Sequence, residues 1–108
     1  MKVARREDMV RGWFVGAFTP SAHFTHAAEV GVKHYSVGES EKRHHHKVAT
    51  EITLILQGRV RMNGVVYKTG DIITVLPEES ADFQVIEDTV TVVVKVPGVL
   101  DDKYMGDA

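Results

Sequence analysis

Three side chains between Gly38 and Gly58 have types and spacing that suit a metal ion: His44, His46 and Glu51. In an extended strand alternate side chains share a face, so His44 and His46 point one way and His45 the other. Two imidazoles and one carboxylate converging on one spot hold a divalent transition metal and leave positions open for a ligand. Such an N/O donor set suits Mn, Fe, Ni or Zn better than a soft metal. The structural alternative is a histidine-rich turn; the run is short, internal and flanked by strand-like sequence, unlike a purification tag.

The elements that must position these groups are short strands separated by turn signals. Apolar or Val/Ile/Thr-rich runs cover 13–18, 29–37, 51–56, 59–62, 65–68, 72–76, 82–86 and 90–96. No long helical period is present, although Arg5 to Arg11 can form a turn or two. The pattern predicts an all-β sandwich or barrel. Asn63-Gly64 between strand residues is a type I′ hairpin signal, and a two-residue turn sets Met62 opposite Val65, Arg61 opposite Val66 and Val60 opposite Tyr67. Val60, Met62, Val65 and Tyr67 then face the core, while Arg61, Val66 and Lys68 face outward.

Parity supplies the remaining candidates. His34 alternates with Val30 and Val32, which read as core-facing, so it lines the interior either as an acid-base group or as a hydrogen-bonded structural histidine. Tyr67 is either a core aromatic or a second proton-transfer group. Gln57 shares its parity with Glu51, Thr53 and Ile55 and is a candidate for hydrogen bonding to a substrate, with strand-end packing as the alternative. His45 is expected in solvent, as are His23 and His26 in their loop. Trp13, Phe14 and Phe18 read as core packing, and Asp101 to Tyr104 as a surface extension in which Tyr104 anchors the tail or covers the barrel mouth.

The run Gly38, five residues, His44-x-His46, four residues, Glu51, six residues, Gly58 resembles the first motif of the cupin superfamily, with every fixed position filled. The second motif of that family is degenerate here. Gly70-Asp71 opens it, Pro77 comes one position late, Glu79 replaces a glycine, Ile86 replaces an asparagine, and Asp82 stands where the family has its third histidine. The resemblance implies a double-stranded β-helix (jelly-roll) barrel over about residues 29–96, an N-terminal arm over 1–28 and a tail over 97–108. It also implies a divalent metal on His44, His46 and Glu51. Asp82 either adds an oxygen ligand, so that two carboxylates balance the ion, or is a surface acid near it. Small cupins often pair by a strand crossing to a second subunit, so a homodimer is expected.

Composition narrows the partners. The 108 residues fit one domain, with no Cys and a formal net charge of −2. The absence of thiols fits a reducing cytoplasm. Interspersed charges argue against nucleic-acid binding, and no apolar run approaches the roughly 18 residues of a membrane span. Function then lies among several classes: an enzyme acting on a small polar metabolite, with sugar isomerase or epimerase-like chemistry; a binding or sensing module without turnover; a metal-dependent oxygenase, which the missing third histidine disfavours; or a relic barrel without metal.

Overall fold

The structure is a computed structural model that describes residues 1–108. Two short 3-10 turns, Arg6–Asp8 and Val10–Gly12, lead into eight strands: β1 (Trp13–Val15), β2 (Glu29–Tyr35), β3 (Ser40–His45), β4 (Thr50–Met62), β5 (Val65–Lys68), β6 (Ile72–Val75), β7 (Ala81–Val96) and β8 (Tyr104–Met105). All named pairings are antiparallel. No helix is long and apolar enough to cross a membrane.

Two long strands organise the molecule. The C-terminal half of β7 pairs with β2 on one side and the N-terminal half of β4 on the other, and β4 carries β6 beyond it. The N-terminal half of β7 pairs with β3, which carries β8, and with the C-terminal half of β4, which carries β5. The β4–β7 ladder is bulged between Ile55 and Val60. A bulge bends a strand and increases its twist, which lets one ribbon fold over into two limbs. The core lies between the limbs: Ile55 comes from the first, and Val60, Met62, Phe83 and Val85 from the second, all buried.

The sequence expectation of separate strands at 51–56 and 59–62, and at 82–86 and 90–96, is thereby corrected. In each case one strand continues through the intervening residues. Gly58, Glu87 and Asp88 read as breaks because a bulge tolerates the residues that a turn favours. The polar segment Ser40–His45 forms a strand that β propensity did not single out.

The Asn63-Gly64 hairpin has the expected register, with Met62 opposite Val65 and Val60 opposite Tyr67. Both turn residues have positive φ, 49° at Asn63 and 80° at Gly64, as a type I′ turn requires. Val65 departs from its expected burial and is exposed, although its cross-strand partner Met62 is buried.

Candidate functional site

The inward-facing residues of both limbs enclose a polar cavity of about 220 Å³. On β2 these are Lys33 and Tyr35, on β4 Glu51 and Thr53, and on β7 Thr91, Val93 and Lys95. The second limb contributes Glu41 and His44 from β3, His46 just beyond it, and Ala81 to Phe83 from β7. Three of the metal candidates, His44, His46 and Glu51, therefore line one cavity.

His46 is 4% exposed. Its Nδ1 lies 2.7 Å from the main-chain carbonyl of Asp102. A carbonyl only accepts, so Nδ1 carries the proton and a neutral ring presents its Nε2 lone pair. That Nε2 is buried without a hydrogen-bond partner. Its nearest acid is Glu51, with Oε1 at 3.7 Å, a distance for charge attraction rather than a hydrogen bond. The Glu51 carboxylate beside it raises the His46 pKa, although burial works in the other direction. Burial pushes the Glu51 carboxyl up, but His46, Lys95 and His44 outweigh it and leave the pKa lowered.

His44 has the same local design. Its Nδ1 donates to the carbonyl of Lys42 at 2.9 Å, which frees Nε2, and its ring packs edge-on to His46 with centroids 5.5 Å apart. No three His, Asp or Glu side chains are gathered at ligand spacing as they stand. The donor set nevertheless fits a divalent ion. It has two Nε2 atoms oriented by carbonyls, one of them orphaned in a buried position, and a carboxylate held in its charged form.

The tail holds this arrangement. Asp102, 5% exposed, accepts the backbone N–H groups of Lys47, Val48 and Ala49 at 3.1, 3.1 and 2.9 Å. Burial pushes its pKa up, but these three bonds outweigh it and the net shift is downward. The expectation of a surface extension is corrected: β8 pairs with β3, and Asp102 locks the turn after His46. His45 is corrected with it. The ring is 5% exposed, because Tyr104 stacks on it at 5.6 Å and its Nδ1 donates to the Gly106 carbonyl at 2.8 Å.

Other candidates lie elsewhere. His34 is exposed on the outer face of β2, and its neighbours Lys33 and Tyr35 line the cavity instead. Val30 and Val32 are only half-buried and belong to an apolar outer face, which is why parity pointed the wrong way. Tyr67 packs against the hydrophobic core away from the cavity. Gln57 is exposed, because the bulge after Ile55 breaks the alternation that Glu51 and Thr53 obey. Asp82 borders the cavity, but its Oδ1 accepts the Asn63 amide at 2.7 Å while its own amide donates to Asn63 Oδ1 at 3.1 Å. It clamps the hairpin tip to β7.

Several site residues escaped sequence reasoning. Tyr35 donates its hydroxyl to Glu41 Oε1 at 3.2 Å. Burial and that carboxylate raise its pKa far above the ordinary range, so it keeps its proton. Burial lowers the pKa of Lys33. Trp13 lies beneath the ammonium groups of Lys33 and Lys95, each 5.0 Å from its ring. A signal was present: Lys33 and Lys95 are single lysines inside valine-rich strands, which a polar lumen explains.

No family model matches the chain, and no curated protein matches it. Solved structures do. A Klebsiella pneumoniae protein with a double-stranded β-helix domain is similar at TM-score 0.68 and 23% identity, over 78% of this chain and 74% of that one. An RmlC-like cupin from Shewanella frigidimarina is similar at TM-score 0.66 and 20% identity, over 72% and 73%. The DMSP lyase DddQ from Ruegeria pomeroyi is similar at TM-score 0.67 and 17% identity, over 86% of this chain but 49% of that one. With two limbs of antiparallel strands wrapped around an inward-facing polar cavity, the chain has the double-stranded β-helix fold of the cupin superfamily.

Proposed function

We propose that this protein binds a divalent transition metal through His44, His46 and Glu51 and acts on a small polar metabolite in the cavity beside it. The observation that carries the reading is the buried, unpartnered Nε2 of His46, with its other nitrogen fixed by the Asp102 carbonyl and Glu51 alongside. An orphaned buried acceptor costs about 1–3 kcal/mol, which a ligand on that atom offsets. When bound, such an ion supplies a Lewis acid next to a hydroxyl or carbonyl of the metabolite. Glu41, a carboxylate bordering the same space and hydrogen-bonded by the Tyr35 hydroxyl, is the proton acceptor in reach, with Tyr35 positioning it. Proton-transfer chemistry of the isomerase or epimerase type suits these groups. They take the roles first sought in His34 and Tyr67. The similar DMSP lyase supports turnover on this fold as a precedent for reaction, not for substrate.

The proposal includes a homodimer and a cytoplasmic location, the first supported by an apolar outer face and the second by the absence of Cys. Elemental analysis of untagged protein after metal reconstitution tests the centre. One ion per chain is expected, lost in a His44→Ala/His46→Ala variant that keeps its β-sheet circular dichroism. Unmodified protein that takes up no ion would overturn the reading. Screening sugars and small carboxylates by thermal shift, then assaying each hit for product, separates turnover from a binding module.

A further inference from the structure

One stretch of the cavity wall, beginning beside Glu51 at its cross-strand neighbour Lys95, gathers three cations that make no ion pair. Arg11, Lys33 and Lys95 all border it, and none has a carboxylate within 4.0 Å, whereas Arg5, Arg43 and Arg59 each have one. The convergence is built. Lys33 and Lys95 come from neighbouring strands, and the Trp13 indole holds both ammonium groups at 5.0 Å. The indole in turn lies flat on β2 at Gly31, where any Cβ would meet its ring at 2.8 Å. Burial lowers the pKa of Lys33, Glu41 works against that, and Arg11 and Lys95 add to the lowering. Thr91, cross-strand from Lys33, adds a buried hydroxyl without a hydrogen-bond partner.

We infer that Arg11, Lys33 and Lys95, with Thr91 beside them, form an anion subsite that takes the carboxylate of a small hydroxy acid. The inference rests on the reading of this cavity as a ligand site and names the ligand's charged group. Three converging cations with no carboxylate in contact gain from an anion in a partly desolvated space. A carboxylate is favoured over a phosphate dianion by the whole lining. Its four basic residues, Arg11, Lys33, Lys95 and Lys103, are matched by four acidic ones, Glu41, Glu51, Glu79 and Asp82. At about 220 Å³ the space falls below the ~300 Å³ at which drug-sized pockets begin, so the ligand is small. Its hydroxyls would then lie toward His44, His46 and Glu51.

Trp13 is the sole tryptophan, so its fluorescence reads the subsite directly. Chelator-treated, metal-free protein is titrated with gluconate, with neutral sorbitol and with inorganic phosphate at constant ionic strength, and calorimetry reads the same titrations independently of the indole. Saturable binding of gluconate, silence with sorbitol, and about tenfold weakening in each of Lys33→Met and Lys95→Met are expected. Equal responses to gluconate and sorbitol, no saturation by either method, or lysine variants that bind as the parent does would overturn the subsite. Phosphate binding without gluconate binding would overturn the carboxylate assignment. A failed metal centre leaves this titration unchanged, and a failed titration leaves metal content unchanged, so the two readings fall separately.

Discussion

His46 and Asp102 are joined twice. The imidazole Nδ1 donates to the Asp102 carbonyl, and the Asp102 carboxylate gathers the three amides that follow His46. The segment after the barrel thus sets both the tautomer of the metal candidate and the path of the chain leaving it.

Replacing Asp102 with Ala should therefore cost about 2–4 kcal/mol, since three amides lose their acceptor. Chemical denaturation measures the loss. The carbonyl that orients His46 is main-chain and survives the substitution, so metal affinity should fall less than about tenfold, through the loosened turn alone. A variant with parental stability would show that water satisfies these amides.

Glu29 should oppose stability at neutral pH. It is buried, its Oε2 has no partner, and burial raises its pKa above 4.5 despite the pull of Lys95. A carboxyl whose folded pKa lies above its unfolded one destabilises the fold once ionised. The penalty is complete above the folded pKa and vanishes below about 4.5. Glu29→Gln should raise the melting temperature by about 2–5 °C near neutrality, with the gain fading in acid. A gain that persists under acid conditions would point to packing instead.

Asp82 should behave as a hairpin clamp. Asp82→Ala is expected to lower stability by about 1–2 kcal/mol through loss of the Asn63 bond, with metal affinity changed less than about threefold. A hundredfold loss of affinity at unchanged stability would place Asp82 among the ligands after all.

The outer face of the first limb should pair with a second copy. Leu54 and Ile72 are cross-strand neighbours there, Leu56 follows, and Ile72 is 66% exposed. Light scattering should give twice the chain mass of 12.0 kDa at micromolar concentration. Ile72→Lys should yield monomer, and a parent protein already monomeric would reject the pairing.

The same face explains what the sequence made legible. A strand with one apolar parity reveals its inner side, but β2 has valines outside and Gly31, Lys33 and Tyr35 inside, so hydrophobicity pointed to His34. The hairpin at Asn63-Gly64 was readable because local backbone chemistry alone determines it. His44, His46 and Glu51 were readable from spacing, since short-range geometry brings them together. Lys95, Asp102 and Trp13 were not, because each reaches the site through a partner distant in sequence. Gln57 failed at a bulge that no residue type announces.

Barrel strands and the turn after β3 supply His44, His46 and Glu51, whereas the flanking segments supply Arg11 and Trp13 on one side and Lys103 on the other, with Asp102 behind His46. The proposed anion subsite is thus shared between the N-terminal arm and the barrel strands that carry Lys33 and Lys95, while the tail serves the imidazoles through Asp102. Exchanging the N-terminal arm alone between two such barrels would retune which acid is accepted while leaving the imidazole–carboxylate centre in place, and a bulky fusion on the arm would blunt recognition before it disturbed the fold.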